Sequence, residues 1–186
     1  MFNPLRSATC IAATFLLILS GASFAADPEI AVAVEKRGDA FIIDTTFDLP
    51  VPLRTAWEVL TDFDNMASIL GNLTSSKITG RSGNTLVVLQ EGVAKFGFFT
   101  YRFISEREVR MEPMKKIHVK QLSGNTKRYA SEMEVSQNVS STRFRFHAEM
   151  ALDSGIARTF GGPFIQHEIE EQFVSMAAEM ERRKAL

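Results

Sequence analysis

The chain is poor in reactive groups. Its one cysteine, Cys10, sits near the start, so everything after it is without disulfides or a thiolate nucleophile. The three histidines, His118, His147 and His167, include no pair with the spacing of zinc ligands. There is no GxSxG elbow, no P-loop and no glycine-rich dinucleotide fingerprint. Charge of one sign is also lacking: 21 Lys and Arg face 22 Asp and Glu in mixed order, which excludes the basic stripe of a nucleic-acid binder. Tryptophan and tyrosine are scarce, at one and two residues, against 15 phenylalanines. A greasy interior with very few hydroxyls follows.

What is present begins with a leader. Arg6 precedes an apolar stretch from Ile11 to Leu19, and Ser23-Phe24-Ala25 places small residues at the −3 and −1 positions of a cleavage site. The stretch is far short of the ~20 residues that span a bilayer. Cys10 lies on the wrong side of it for a lipoprotein anchor. Residues 1–25 are therefore expected to be a signal peptide, and residues 26–186 one domain, secreted or periplasmic, with no stable membrane span after processing.

Within that domain the period of the apolar residues changes twice. Phe41, Ile43, Thr45, Phe47 and Leu49 alternate with Ile42, Asp44, Thr46 and Asp48, behind an interruption at Gly38-Asp39. Two strands joined by a tight turn are predicted. Pro50 and Pro52 end the run. Trp57, Leu60 and Phe63 then recur at helical spacing, predicting a helix over Leu53 to Leu60 anchored by Trp57. A second short helix is predicted from about Asp64 to Leu70, capped by Asp62 or Asp64.

From Leu73 to Asp153 strand-like runs follow one another across short turns, the clearest being Thr85 to Lys95, Phe98 to Arg110, Lys116 to Leu122, Lys127 to Val135 and Thr142 to Leu152. Short connections favour an antiparallel meander. A connection containing Gly155 and the hinge-like pair Gly161-Gly162 leads to a terminal helix over about Phe164 to Arg183. Ile165, Ile169, Phe173, Met176 and Met180 draw its apolar stripe. The economical packing is α+β: a curved antiparallel sheet wrapped around the long C-terminal helix, with two short helices after the first long strand.

The segment Asp48-Leu49-Pro50-Val51-Pro52-Leu53-Arg54-Thr55-Ala56-Trp57-Glu58-Val59-Leu60-Thr61-Asp62-Phe63-Asp64-Asn65-Met66 resembles the opening signature of the START-like superfamily, which groups polyketide cyclases and dehydrases with lipid-transport proteins. The Ser123-Gly124-Asn125 turn and the glycine-containing connection into the last helix extend the likeness from about Val32 to Arg183. It implies a helix-grip fold with a deep apolar cavity, closest in flavour to coenzyme Q-binding START-type domains. That superfamily also holds aromatases, cyclases and hormone receptors, so the likeness does not select an activity. The export signal departs from the cytosolic and mitochondrial settings of its best-known members.

Candidate ligand-binding residues come from strand and helix parity. Phe99, Tyr101 and Phe103 share one face of a strand, as do Tyr129 and Met133, and Phe144 and Phe146. Phe173, Met176 and Met180 line the last helix. Phe160 and Phe164 flank Gly161-Gly162-Pro163 at the end of the connection Asp153 to Pro163, which reads either as a lid over the cavity or as a solvent-exposed loop whose glycines turn the chain. A tyrosine hydroxyl carried inward needs a partner, either a backbone carbonyl or a ligand oxygen. His147 falls on the charged face of its strand, whereas Ile117 and Val119 leave the face of His118 open.

No residue takes a catalytic role on this reading, and no metal or cofactor is called for. The expected function is an exported binder or carrier of a hydrophobic small molecule or lipid: an isoprenoid, quinone, fatty acyl chain or sterol-like compound. The alternatives are an aromatase- or cyclase-type enzyme using Tyr101, Tyr129 or an inward arginine, and a protein-interaction domain with a vestigial cavity. No particular protein partner is indicated.

Overall fold

The computed structural model describes residues 30–97, 99–152 and 161–186, apart from the side chains of Phe96 and Phe99. The leader and Phe160 lie outside the described residues. In chain order the elements are β1 (Ala33–Arg37), β2 (Ala40–Leu49), α1 (Leu53–Leu60), a 3-10 turn (Phe63–Asn65) and α2 (Met66–Ile69). Six strands follow: β3 (Leu73–Ser82), β4 (Thr85–Phe96), β5 (Phe99–Glu112), β6 (Lys116–Gly124), β7 (Arg128–Gln137) and β8 (Thr142–Ala151). The last described element is α3 (Gly161–Lys184).

The strands form one antiparallel sheet in the order β1-β2-β8-β7-β6-β5-β4-β3. Every neighbouring pair but one is consecutive in sequence. The exception joins β2 to β8, with Phe41 opposite Met150 and Leu49 opposite Thr142. Helix α3 packs on the inner face as the helix-grip architecture requires, and α1 and β1 both touch it.

Alternation decides which face each strand buries. In β2, Phe41, Ile43, Thr45 and Leu49 are buried while Asp44, Thr46 and Asp48 are exposed. In β8, Phe144, Phe146 and Ala148 are buried, and Arg145 and His147 face water. The register turns the wet sides into cross-strand ion pairs: His147 Nδ1 lies 2.7 Å from Asp44, Arg143 2.7 Å from Asp48 and Arg145 3.1 Å from Glu134. Such exposed pairs fix register more than they add stability. His118 also faces outward, with one ring nitrogen 3.3 Å from Glu112 and the other 3.1 Å from Glu132. The β1–β2 turn places Gly38 at φ 62°, a conformation that a side chain would disfavour.

Three local expectations need correction. Trp57 packs against the core as expected but is only partly buried, because the helix turns Ala56, Val59 and Leu60 fully inward. Neither aspartate caps the second short helix. Asp62 accepts hydrogen bonds from Asn65 (2.8 Å) and Arg183 (2.6 Å), and Asp64 accepts one from the Ile78 amide at 2.8 Å. Both carboxylates thus tie this segment to α3 and β3. Gly161 and Gly162 belong to the first turn of α3 rather than to a hinge. A Cβ on Gly161 would collide with the Phe41 ring, so glycine here permits close approach of helix and sheet.

Candidate functional site

The inner face is packed unevenly. Where β2 and β8 meet α3, Phe47 stacks on Phe144 with ring centroids 4.8 Å apart and also meets Phe173 at 5.3 Å. Phe146 meets Phe173 edge-on at 5.1 Å. These contacts fill that half with rigid rings. Toward β4, β5 and β6 the fit loosens, and two hollows open between the sheet and α3.

The first hollow, about 140 Å³, is walled by apolar side chains that include Leu60, Phe63, Met66, Met133, Phe146, Phe173 and Met176. The second, about 90 Å³, lies among Tyr101, Met150, Leu152, Phe164 and Ile165. Both are bordered by Phe103, Ile169, Asn72, Arg107 and Gln172. Outside α3 runs a larger groove of about 540 Å³, between that helix and the rim formed by Leu70–Asn72, Val93 and Lys95. The hollows on the sheet side differ from the groove in being walled largely by buried core side chains, the kind of lining that small-molecule sites generally have.

Of the residues singled out by parity, Tyr101, Phe103 and Phe164 border the second hollow. Phe103, Tyr129, Met133, Phe146, Phe173 and Met176 border the first. Phe144 and Met180 are buried in the core but border neither. The backbone of Phe99 pairs with Phe96 in the β4–β5 ladder. The Tyr101 hydroxyl donates to the Asn125 carbonyl at 3.2 Å, so a backbone acceptor serves it. Tyr129 is buried, and the Arg107 guanidinium carbon lies 4.8 Å from its ring centroid, within cation–π range.

Of the remaining polar groups at the site, the sequence reading allowed for an inward arginine without naming it and named none of the others. Arg107 Nε donates to Ser105 Oγ at 2.8 Å, and among the described residues no carboxylate lies within ion-pair distance of the guanidinium. Its inward direction was legible: Tyr101, Phe103, Ser105, Arg107 and Val109 occupy alternate positions of β5. Gln90 is satisfied by Ser76 at 3.1 Å. Asn72 Nδ2 donates to Glu168 Oε2 at 2.9 Å, while Asn72 Oδ1 is buried with no hydrogen-bond partner among the described residues. Gln121 donates to the Thr126 carbonyl at 2.6 Å, and its own side-chain oxygen is similarly unpaired.

Glu168 is 7% exposed, on the buried side of α3 between Ile165 and Ile169. Burial pushes its carboxyl above the ordinary carboxylate value, the nearby Glu171 charge adds to this, and the Asn72 hydrogen bond and His167 oppose it. Its position was also readable, since Phe164 and Ile165 lie four and three residues before it on the helix. Asn72 carried no such signal, because it sits in the short connection before β3. Among the described residues no cluster of side chains could hold a metal ion.

A curved antiparallel sheet gripping a long helix over apolar hollows defines the helix-grip class of small-molecule-binding folds. The chain belongs to the polyketide cyclase/dehydrase and lipid transport family, whose model matches residues 40–181. Similar solved structures include the Zhui aromatase/cyclase from Streptomyces sp. R1128, with a TM-score of 0.64 and 16% identity over 77% of this chain and 95% of that one. A START superfamily protein from Mycobacterium smegmatis superposes with a TM-score of 0.59 and 12% identity, covering 77% of this chain and 97% of that one. TTHA0849 from Thermus thermophilus gives 0.64 and 14%, over 76% and 98% respectively. No curated protein matches the sequence. At these identities the structures establish a shared fold. The family supports a role with hydrophobic small molecules and leaves cyclase chemistry and lipid transport both open.

Proposed function

We propose that this protein is an exported, non-enzymatic carrier of a hydrophobic small molecule, with an oxygen of that molecule held against Arg107. The observation that carries the reading is the guanidinium itself: it borders both hollows without a carboxylate partner among the described residues. Arg107 is half-buried, and the part of its guanidinium turned from water is best matched by an acceptor. Ser105 offers one oxygen and the Tyr129 face a weak attraction, so a ligand carbonyl or carboxylate completes the set. The apolar walls supply affinity by removing ligand surface from water, at about 25 cal/mol per Å² before association costs. Met133 and Met176 give that wall adaptable shape.

Calorimetric titration of the exported protein with toluene and with the phenylacetyl amide of methylamine tests this. Arg107→Met should weaken the amide about tenfold or more, as for a hydrogen bond to a charged group, and leave toluene unchanged. Failure of the parent protein to bind either compound would remove the carrier reading. N-terminal sequencing that finds Met1 intact on a membrane-bound product would remove export.

One observation favours the aromatase/cyclase alternative. Glu168, with its carboxyl shifted toward the neutral form, borders the second hollow together with Arg107 and Tyr101. A carboxyl held toward its neutral form at the edge of the hollow could donate a proton to a bound carbonyl. Turnover of a polyketide-like substrate, lost in Glu168→Gln with binding retained, would establish that alternative.

A further inference from the structure

Two neighbouring side chains on the inner face hold hydrogen-bond donors that nothing in the fold uses. Strand register brings them together. Arg107 of β5 lies opposite Gln121 of β6, and the β6–β7 ladder ends with Lys120 opposite Ala130, one residue short of Gln121 and Tyr129. Arg107 and Tyr129 therefore flank Gln121 in one cross-strand row, and the guanidinium carbon reaches to 4.8 Å from the tyrosine ring centroid. Both side chains border the first hollow.

Arg107 Nε donates to Ser105 Oγ at 2.8 Å. The two terminal nitrogens have no hydrogen-bond partner among the described residues and, unlike the side-chain oxygens of Asn72 and Gln121, are not sealed from contact with other molecules. The Tyr129 hydroxyl is in the same condition, although the residue as a whole is only 9% exposed. A buried tyrosine ordinarily finds a partner for its hydroxyl. Tyr101 does so at the Asn125 carbonyl, and Tyr129 makes no such bond within the described residues.

Charge and shape select the group that suits these donors. Arg107 is the one charged side chain among the described residues that border the first hollow. The second hollow adds Glu168, which would face an anion placed there, and Tyr129 does not border it. The head group therefore belongs in the first hollow. Arginine can only donate, and its planar fork matches the two oxygens of a carboxylate. A phosphate dianion would bring two charges to one cation, and a neutral carbonyl would bring one oxygen and no charge. The apolar remainder meets Leu60, Phe63, Met66 and Met176. A cavity of about 150 Å³ accommodates a benzene ring, and this hollow measures about 140 Å³, so one ring or a short chain fills it.

We propose that the carried molecule is a monocarboxylic acid bound as its anion, its carboxylate held by the Arg107 terminal nitrogens and the Tyr129 hydroxyl and its single ring or short aliphatic chain in the first hollow. This rests on the carrier reading above and adds to it the charge and class of the head group and a second residue that recognises it.

The test is calorimetric titration of the exported protein at neutral pH with phenylacetate, its neutral isostere phenylacetamide, and toluene. Phenylacetate should bind about tenfold more tightly than phenylacetamide, because hydrogen bonds to an ionised acceptor are about twice as strong as neutral ones. In Arg107→Met that preference should disappear. Tyr129→Phe keeps the ring and removes only the hydroxyl, so it tests the site even if the arginine variant fails to fold. It should lower the ratio of phenylacetate to toluene affinity about three- to tenfold, the worth of one hydrogen bond. Thermal melting confirms that each variant is folded. Phenylacetate binding no tighter than phenylacetamide, a preference that survives Arg107→Met, or an unchanged ratio in Tyr129→Phe overturns the inference, and toluene binding in the parent protein then leaves the carrier reading standing. No binding of any of the three probes overturns both.

Discussion

The two halves of the inner face are built from similar kinds of apolar side chain and differ in what interrupts them. Around β2, β8 and the middle of α3, Phe47, Phe144, Phe146 and Phe173 meet ring to ring with no cation among them. Around β4, β5 and β6, apolar side chains are spaced apart by Arg107, Gln90, Asn72 and Gln172. Polar groups that must keep hydrogen-bond partners cannot collapse onto their neighbours as phenyl rings do, so the hollows persist where those groups are. The first half carries stability, and the proposed ligand site lies in the second, with Phe146 and Phe173 at the boundary between them.

The largest expected effect tests that division. Phe144 is fully buried, and Phe144→Ala should cost about 3 to 5 kcal/mol in urea unfolding. Phe103→Ala, beside existing space, should cost about half as much or less by the same mechanism. Equal losses would erase the distinction.

Next comes Gly92→Ala, on the rim of the looser half. Its new methyl would collide with the Asn72 carbonyl oxygen and the Phe103 ring. The ring can swing into the hollow, but the backbone oxygen is held by the Val93 amide at 2.8 Å. A loss of about 1 to 3 kcal/mol is expected, as for other overpacked sites, together with weakened ligand binding in titration. A stability loss without a change in binding would separate this rim from the site.

Titration behaviour should differ in sign between the hollow and the far end of α3. The folded state holds the Glu168 proton to higher pH than the unfolded chain does, so its contribution declines as pH rises above the ordinary 4.5. Glu168→Gln should therefore be more stable than the parent at neutral pH, with the advantage vanishing below about pH 4.5. Glu179 behaves oppositely: hydrogen bonds from Arg182 and then Arg183 lower its carboxyl to about 2. Its contribution is present above 4.5 and is lost as pH falls toward about 2, and Glu179→Gln should abolish that loss. Denaturant titrations at several pH values distinguish the two. The smallest effect is expected on the outer face, where His147→Ala breaks only a solvent-exposed pair with Asp44 and should leave the melting temperature unchanged within error.

The packed half was more legible in the sequence than the loose one, for a physical reason. Alternation and helical spacing report burial, and they placed Phe144, Phe146 and Phe173 correctly on the inner face. They also located the strand turns and the bounds of α1. Burial does not distinguish a residue in the core from one at a cavity wall, so Phe144 and Met180 were grouped with the lining residues although they border neither hollow. An inward arginine was allowed for but not identified as Arg107, and Glu168 was overlooked, because charged residues are ordinarily assigned to the surface even where their parity points inward. Asn72 acquires its role from neighbours on β4 and α3, about 20 and nearly 100 residues away in the chain, and no local pattern encodes that.

The single non-consecutive pairing in the sheet has a consequence for how the protein is made. Strands β3 to β8 can assemble as successive hairpins, but β8 must also find β2, across about a hundred intervening positions, and closing so long a loop is slow. Until that pairing forms and α3 settles on the sheet, the phenyl rings of β2 and β8 stand uncovered. A newly made chain therefore passes through a stage at which its greasiest surface is open to other chains. Its vulnerability to aggregation should be set by how quickly the last two elements dock.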